Sequence, residues 1–499
     1  MDQKSILRET LASVVVFLVA LPLCIGIAVA SGVPAEKGLI TGIVGGLVVG
    51  FLAGCPLQVS GPAAGLAIII LELVNTSGIG LQGLGAIVFA GGIIQLIAGS
   101  LRFGQMFRAI SPAVIVGMLS GIGVLIFSSQ FHIMIDDPVK AGGVANLISI
   151  PEAFIKVVFP PGLDNHHLAA YAGIITIVTL LSWNKFRPEK LKFIPGTLLG
   201  VVAAVVFAQC FKLEIDYIKL PETLVSSSSF LSWEALSILT TSKGITLAFT
   251  VAIVASAETL LCATAVDKLH DGERTNYNKE LFAQGVGNVI CGFLGALPMT
   301  GVIVRSSANI NSGAKTRYSA ILHGMWLLLF IVIFPQIINL IPKASLAAIL
   351  VYIGIKLINI SFIKELKKYG KSEVFIYIAT IVGIVVTNLL TGIVIGFGLA
   401  LCKMLYVMNH LSITVEKKEE VYTMRFKGSA TFLKIPELAQ QLESLPWDGQ
   451  IHILLDGLNY IDHACIDLLK SHGAQVEKRG GNLELCWDSV EKVYQSNKA

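Results

Sequence analysis

Two short segments, residues 58–65 and 298–307, carry the residues with the clearest chemical potential. Both lie in apolar surroundings and combine proline, glycine and hydroxyl side chains. Pro62 prevents a helix from entering from its N-terminal side but suits the first turn of a new helix. Inside a membrane, non-helical backbone is tolerated only where it lines a cavity or is buried in protein. Each segment therefore predicts a half-helix that begins near the middle of a bilayer.

Half-helix starts of this kind can bind an anion through the main chain. The first N–H groups of a helix have no acceptor within it, and the helix dipole adds positive charge there. Two such starts that face each other form an anion site without a basic side chain. Small residues would let an ion approach the backbone closely: Ala63, Ala64, Gly65 and Gly301.

Arg305 adds a cation one turn into the second half-helix. Placing it in a membrane costs on the order of 3 kcal/mol, so we expect it to line the cavity or to be paired. Alternatively, Arg305 has only a structural role and donates hydrogen bonds to carbonyls of neighbouring helices.

Glu258 is the acidic residue that lies deep within the apolar stretch 251–265. A carboxylate in this setting is costly and usually serves a proton, a cation or a partner charge. We consider four roles: an ion pair with Arg305, a site for a co-transported cation, a proton carrier, and a purely structural ion pair. The eight cysteines show no Cys-x-x-Cys or Cys/His spacing, so no metal site is predicted.

The composition indicates which elements position these residues. Hydrophobic residues make up 54% of the chain and charged residues only 14%, and the mean hydropathy is +0.75. Apolar runs such as 14–30, 321–338 and 374–390 are long enough to cross a ~30 Å hydrocarbon core at ~1.5 Å per residue. We expect about thirteen or fourteen membrane elements within residues 1–412.

The composition changes after His410, and residues 413–499 predict a small soluble α/β domain. Strand-like runs at 421–426, 451–456 and 482–487 alternate with amphipathic helical runs at 435–445 and 465–478.

An internal repeat predicts the arrangement of the membrane part. Residues 45–56 resemble residues 287–298, and each match is followed by a short break and a short helical segment. Seven predicted spans separate the two copies, an odd number, so the two halves are inverted, as in secondary transporters.

Lys and Arg in alternate short loops predict that both termini are cytoplasmic. A net charge of +4 gives no support for nucleic-acid binding.

Several motifs resemble those of the SulP family of anion transporters, the solute carrier 26 group. They are Ser60-Gly61-Pro62, the Pro-x-Thr-Gly-x-x-x-Arg-Ser run at 298–306, Asn309, and the run at 313–316. The resemblance covers essentially the whole chain. It implies fourteen transmembrane segments as 7+7 inverted repeats, divided into a mobile core and a gate, a homodimer, and elevator-like movement. The C-terminal part resembles the STAS fold, with residues 455–462 at a strand-to-helix turn.

The resemblance also implies where ligands bind. The anion would lie between the third and tenth helix starts and against the first span. Together with the residues named above, the predicted substrate site comprises Leu23, Ile27, Ala63, Ala64, Gly65, Gly301, Val302, Ile303, Val304 and Arg305.

The coupling-ion candidates are Glu258, Cys262 and Thr300. Bicarbonate-transporting members resemble this chain in an acidic residue at the position of Glu258, where sodium binds. Cys262 and Ile303 depart from those members, which have hydroxyl residues there. The STAS region departs as well, because Asp462 is followed by His463, Ala464 and Cys465 rather than by a phosphorylatable serine.

These observations predict a secondary active transporter of a small inorganic anion in the cell (inner) membrane. Bicarbonate and sulfate come ahead of chloride, sodium or a proton is the expected coupling ion, and no other cofactor is predicted. The alternatives are a proton-coupled carrier of a dicarboxylate such as fumarate, an anion channel or voltage-responsive motor, and a membrane sensor that signals through the STAS domain. An enzyme is not expected, because no nucleophile–base pair appears. The expected partners are the lipid bilayer, a second copy of the chain and a cytoplasmic partner of the STAS domain.

Overall fold

The fold is that of a computed structural model. It describes residues 3–75, 79–109, 111–140, 142–159, 165–188, 191, 194–220, 230–408, 410–418 and 420–486. The chain divides into two compact units, Met1–Phe397 and Gly398–Ala499. The first is helical, and most of the second is an α/β sheet structure.

Most helices of the described part belong to the first unit, and the last of these helices, Leu389–Met408, continues past the boundary of the unit at Phe397. They are α1 Gln3–Ala30, α2 Ala35–Val44, α3 Gly50–Leu52, α4 Ala67–Asn75, α5 Gly80–Ser100, α6 Pro112–Met134, α7 Gly143–Val158, α8 Asn165–Phe186, α9 Gly196–Cys210, α10 Trp233–Leu236, α11 Ser242–Asp267, α12 Tyr277–Phe293, α13 Ile303–Asn311, α14 Tyr318–Ile333, α15 Pro335–Ile338, α16 Lys343–Leu357, α17 Phe362–Leu366, α18 Lys371–Val386 and α19 Leu389–Met408. Two short strands accompany them, β1 Ser60–Pro62 and β2 Met299–Gly301. A π-helical turn, Gly45–Val49, joins α2 to α3.

Eight helical segments of the described part are long and apolar enough to cross a membrane. Three shorter apolar helices accompany them: Ala64–Val74, Gly196–Cys210 and Tyr318–Ile333. The run 14–30 lies within α1, which confirms the first predicted span. The number fourteen stays a prediction.

Two predicted runs are interrupted, so their predicted ends were wrong. In the run 321–338, helix α14 ends at Ile333 and a separate short helix, α15, begins at Pro335. Pro335 has no N–H with which to continue α14, and proline is favoured at the first position of a helix. The run 374–390 ends at Val386, and Thr387, with φ −111° and ψ −91°, separates α18 from α19.

The long helix α1 contributes to two buried apolar clusters. Ile27 belongs to a cluster built mainly from α2, α4, α5, α6 and α11. Leu23 belongs to a second cluster with residues of α14 and α16. Helices α5 and α12 approach closely through glycine, since a Cβ added at Gly292 would lie 2.2 Å from the Phe89 N atom. Their spacing therefore depends on small residues.

The second unit contains a four-stranded sheet in the order β3-β4-β5-β6. Its elements are β3 Leu411–Lys418, β4 Val421–Ala430, α20 Ile435–Glu443, β5 Gln450–Ile461, α21 His463–Lys478 and β6 Asn482–Cys486. Strand β3 pairs antiparallel with β4, whereas β4, β5 and β6 pair parallel. The helical and strand runs predicted here are confirmed apart from their ends.

Strand β3 was missed, and residue 413 lies inside it. Apart from Leu411 and the half-buried Ile413, its side chains are exposed, so it lacks the apolar alternation that identifies a half-buried strand. Trp487, at the end of the third predicted strand, lies outside the described residues. The functional division into residues 1–412 and 413–499 stays a prediction.

Candidate anion and coupling-ion sites

The two predicted helix breaks form one antiparallel pair of short strands. Ser60 pairs with Gly301, Gly61 with Thr300, and Pro62 with Met299. The pair continues at both ends. The Ala63 N–H donates to the Pro298 carbonyl at 3.1 Å, and the Val302 N–H donates to the Val59 carbonyl at 2.9 Å. The tertiary fold therefore joins the two halves of the membrane unit at their breaks.

The predicted place of Pro62 in the first turn of a helix was wrong. Pro62 lies in β1, and the first half-helix begins with a 3-10 turn at Ala64–Leu66 that leads into α4. Residues 59 and 63 carry the ladder bonds at the two ends of the pair. In an antiparallel ladder hydrogen-bonded pairs alternate with non-bonded pairs, so Pro62 falls at a position where no N–H is needed.

The second half-helix, α13, begins at Ile303 immediately after Val302. Because the strands are antiparallel, the two helix starts lie at opposite ends of the ladder. Ala63 lies opposite Pro298, four residues before Val302. At ~3.3 Å per residue this offset is about 13 Å. The two starts are neighbours that are displaced along the ladder, and the first N–H groups of each have no acceptor within their helix.

The remaining predicted anion-site residues lie on the elements that surround this ladder. Helix α1 packs against β1, α4 and α13, and its Leu23 and Ile27 are buried. Val302 is half-buried, whereas Ile303 and Val304 are each 38% exposed. At the first start, Ala63 and Gly65 are buried and Ala64 is half-buried. The fold brings the elements together, and the assignment of these residues to an anion site stays a prediction.

Arg305 lies on the buried side of α13 and is 0% exposed. Its guanidinium group lies against the backbone of Gly61, because a Cβ added there would be 2.0 Å from Nη1. Cys24 and His323 are further neighbours. None of its three guanidinium nitrogens has a hydrogen-bond acceptor among the described residues. The proposed carbonyl strut and an Arg305–Glu258 ion pair are therefore both absent from the part of the chain that the structure describes.

Glu258 lies on α11 beside the first helix start. A Cβ added at Gly65 would be 3.0 Å from its Oε2 atom. The Thr300 hydroxyl faces the same carboxylate, yet Thr300 Oγ1 and Glu258 Oε2 are buried without a hydrogen-bond partner. The next residue, Thr259, accepts a hydrogen bond from the Gly301 N–H at 3.1 Å. The Glu258 carboxylate and the Thr300 hydroxyl thus provide two hard oxygen donors where α11 meets β1 and β2. Small hard cations prefer oxygen ligands of this kind.

Cys262 lies one turn further along α11. Its Sγ atom is 3.7 Å from Ser306 Oγ, so it contacts α13. Within the described ranges no group of three His, Cys, Asp or Glu residues could hold a metal ion.

The comparisons with known proteins agree with this architecture. The sequence profile described as the sulfate permease family matches residues 6–380. The chain belongs to this family. Like the other members it is a membrane transporter of anions and not an enzyme, which confirms the resemblance drawn from the two breaks and from residues 298–306.

Relatives of this sulfate permease family member include two bacterial proteins. YvdB of Bacillus subtilis (strain 168), provisionally named as a sulfate transporter, is 28% identical over 402 residues, covering 79% of this chain and 72% of YvdB. The bicarbonate transporter BicA of Picosynechococcus is 27% identical over 414 residues, covering 81% of this chain and 70% of BicA. Among solved structures, the murine Slc26a9 anion transporter in its inward-facing state superposes with a TM-score of 0.81 at 15% sequence identity. The match covers 99% of this chain and 88% of the Slc26a9 chain, which confirms the fold.

A further set of buried polar residues in this family member was missed by the sequence reasoning. Glu280, Gln284 and Asn288 lie on α12 and are at most 1% exposed. Glu280 is therefore a further acidic residue within the membrane unit, and it is more deeply buried than the half-buried Glu258. Glu280 was overlooked because it follows the polar run 276–279 and resembles a loop residue. The four-residue spacing of the three polar side chains was the signal that could have revealed it.

The turn before α21 in the C-terminal unit has His463, and not a serine, directly after Asp462. Asp462 accepts a hydrogen bond from the Cys465 N–H at 2.9 Å and so caps α21. Cys465 Sγ donates to the Thr431 carbonyl at 3.3 Å. Burial, together with the neighbouring Asp462 carboxylate, raises the pKa of the Cys465 thiol to about 12. The thiol is therefore protonated and unreactive near neutral pH.

Proposed function

We propose that this protein is a secondary active transporter of a small inorganic anion, with bicarbonate and sulfate as the preferred substrates. The observation that carries the proposal is the β1–β2 pair, which joins the two segments that lead into the half-helices inside the membrane unit. Its relatives BicA and YvdB are named for bicarbonate and sulfate, respectively.

In this proposal the anion is held mainly by N–H groups of the two helix starts. Such groups interact with negative charge and with the size of the ion, and the helix dipoles strengthen the interaction. Ala63, Ala64 and Gly65 at the first start, and Gly301 in the second strand, are small residues that do not themselves shield the backbone. Arg305 acts through its charge from behind Gly61, without touching the anion. The hydrophobic Leu23, Ile27, Val302, Ile303 and Val304 complete the walls.

A sodium ion or a proton drives uptake in the same proposal, and Glu258 with Thr300 holds it. The Glu258 Oε2 and Thr300 Oγ1 atoms are buried without a hydrogen-bond partner among the described residues, which supports a site for a small cation. Cys262 supplies sulfur, a poor ligand for sodium compared with oxygen. We therefore propose a proton as a candidate for the coupling ion that is equal to sodium.

Alternating access would then occur by elevator-like movement of a core that carries both half-helices past a gate. We further propose a homodimer in the cell (inner) membrane with cytoplasmic termini, so that the STAS domain can meet cytoplasmic partners. The pairing of β1 with β2 supports a core that carries both half-helices together, because the two segments are hydrogen-bonded to each other.

Uptake by proteoliposomes tests the proposal. Labelled bicarbonate, sulfate, chloride and fumarate are supplied with and without inward sodium or proton gradients. We expect gradient-driven accumulation of bicarbonate or sulfate, and saturation of uptake distinguishes a carrier from a channel. No accumulation of any inorganic anion, or a preference for fumarate, would contradict the proposal.

The role of Glu258 is tested by Glu258→Gln in the same assay. We expect anion binding, measured as stabilisation against thermal unfolding, to persist while gradient-driven accumulation falls at least about tenfold. Glu273→Gln is the matched control, because Glu273 is an exposed carboxylate in the loop between α11 and α12. Accumulation by Glu258→Gln at the level of this control would rule out the coupling role.

A further inference from the structure

One face of α12 contacts both helix breaks. Glu280, Gln284 and Asn288 follow one another at intervals of four residues, so their side chains lie on the same side of the helix. The comparisons do not assign a role to any of them. Their contacts divide between the two strands that carry the proposed anion site.

Glu280 holds the chain that leads into the first break. Its Oε2 atom accepts from the Cys55 N–H at 2.9 Å, and its Oε1 atom accepts from Gln58 Nε2 at 2.7 Å and from Gln284 Nε2 at 3.1 Å. No cation lies within 4.0 Å of it among the residues that the structure describes. Hydrogen bonds to a buried carboxylate are stronger than those between neutral groups, so this connection is firm.

Gln284 and Asn288 hold the two strands themselves. Gln284 Nε2 donates to Ser60 Oγ in β1 at 2.6 Å. Asn288 Oδ1 accepts from the Met299 N–H in β2 at 2.7 Å, and its Nδ2 donates to the Met299 carbonyl at 3.1 Å. Asn288 thus provides β2 with the donor and acceptor that a further strand would supply.

Gln58 connects the two sets of contacts. Its side chain donates to Glu280, and it lies directly beneath β2, because a Cβ added at Gly301 would be 2.3 Å from Gln58 Nε2. The β1–β2 pair itself is only three residues long. An isolated pair of strands is marginally stable at best, so its position needs support from outside.

We propose that Glu280, Gln284 and Asn288 are positioning residues that fix the offset between the two half-helix starts and thereby set the affinity for the transported anion. This inference rests on the proposed anion site between those starts. An ion held by backbone N–H groups senses displacements of ~0.5 Å, because hydrogen bonds lengthen and misalign over that distance. The α12 side chains touch the strands but not the anion, so their loss raises KM more than it lowers the maximal rate.

The first test is Glu280→Gln, with Lys279→Gln as its matched control. The glutamine keeps one oxygen for Gln58 and Gln284 but points an NH2 group at the Cys55 N–H. Lys279 is the exposed preceding residue of α12, and its replacement also removes one charge. We expect KM for labelled bicarbonate or sulfate to rise about tenfold or more in Glu280→Gln, with a maximal rate within about twofold of the wild type. Lys279→Gln should retain both values.

Amide hydrogen exchange measures the position of the strands without relying on transport. In Glu280→Gln, peptides that cover residues 58–65 and 298–304 should exchange at least about tenfold faster than in Lys279→Gln, while peptides of α8 stay unchanged. Exchange equal to the control in both segments would overturn the inference even if uptake changed. If the wild type moves no anion, the proposed function fails, while the exchange rates still decide whether α12 positions the strands.

Two milder variants keep the test decisive if Glu280→Gln does not fold. Gln284→Met preserves volume and removes the bonds to Ser60 and Glu280, and Ser60→Ala removes the acceptor of the first of these bonds. Each should raise KM about threefold or more, and the double variant should behave like Gln284→Met. Additive effects in folded protein, or KM values equal to the wild type, would show that the Gln284–Ser60 contact does not position β1.

Discussion

The two inverted halves use equivalent helical positions in different ways. The repeat aligns residues 45–56 with residues 287–298. Extended by one turn or two toward the N-terminus at the same offset, it places Gly38, Gly42 and Gly46 of the first half opposite Glu280, Gln284 and Asn288 of the second. The glycines have no side chains with which to hold a strand. They let neighbouring segments approach closely instead.

The first half uses this face for packing. A Cβ added at Gly38 would lie 2.0 Å from the Cys24 carbonyl oxygen, and one at Gly46 would lie 2.5 Å from the Gly324 Cα. A π-helical turn follows at Gly45–Val49, whereas α12 is a regular α-helix throughout. One half therefore sets helix spacing, and the other holds both breaks through side-chain hydrogen bonds.

The starts of the two half-helices also differ in the side chain that each of them buries. Leu66 and Arg305 each stand three residues after the last extended residue, Ala63 and Val302, and both are 0% exposed. The first half thus places an apolar side chain where the second places a cation. The symmetry of the backbone does not extend to charge, so we expect the second half to provide most of the electrostatic attraction.

The largest expected effect comes from the contact between the halves at Gly61. In Gly61→Ala the new Cβ would lie 2.0 Å from Arg305 Nη1 and 2.8 Å from Cζ. Either the guanidinium group or β1 must shift, and both shifts disturb the ladder. We expect uptake to fall at least about 100-fold in proteoliposomes. Gly398→Ala is the control, because a Cβ at Gly398 meets no atom within 4 Å; equal uptake by the two variants would refute the comparison.

Arg305→Leu makes the second helix start like the first. At an effective dielectric constant of about 20, Coulomb's law gives about 2 kcal/mol, or roughly thirtyfold in affinity, for a unit charge and an anion at a separation of about 8 Å. KM for the transported anion should rise by that factor. The thermal unfolding midpoint should not fall, since the variant removes a buried charge without a protein partner. An unchanged KM would show that the charge does not act on the site.

Gly46→Ala separates packing from positioning. The added Cβ would meet the Gly324 backbone, and overpacking of this kind typically costs about 1–3 kcal/mol. We expect a thermal unfolding midpoint several degrees lower and KM within about twofold of the wild type in protein that remains folded. Asn288→Ala, at the equivalent position of α12, should instead raise KM. A rise of KM in both variants would mean that the halves do not divide these tasks.

Cys262→Ser is expected to have the smallest effect. The serine hydroxyl can take the place of the thiol near Ser306 Oγ, now 3.7 Å from Sγ, and adds a hard oxygen near Glu258. Because sodium prefers oxygen to sulfur ligands, the sodium concentration that gives half-maximal uptake should fall about two- to threefold. Cys291→Ser, a buried cysteine of α12, serves as the control. No change relative to that control would separate Cys262 from the coupling site.

Much of the fold follows from local sequence properties. Apolar runs, turn residues and the repeat predicted a polytopic helical protein with an α/β unit, because hydropathy and periodicity are readable residue by residue. Strand β3 was missed because most of its side chains face outward. The run 321–338 predicts one helix that continues past Pro335, because hydropathy does not distinguish a bent span from an interrupted one.

The site was predictable only in part. The breaks at Pro62 and at residues 298–301 were visible because proline and glycine interrupt helices wherever they occur. The partners of Arg305 and Glu258 were not, since a sequence does not state which side of a helix faces another segment more than 40 residues away. Expecting these two to pair was reasonable for isolated charges, yet Arg305 lies against Gly61 and Glu258 against Gly65.

The amino-acid sequence by itself determined that this chain is a membrane protein of the sulfate permease family with two interrupted helices, because those properties depend on composition, periodicity and short motifs. Only the tertiary structure decided that the two interruptions pair as β1 and β2, that Arg305 is buried behind Gly61, and that one face of α12 holds both strands. Apart from the Asn288–Met299 contact, which joins residues 11 apart, these contacts join residues more than 200 apart. They depend on how whole helices pack rather than on any local preference.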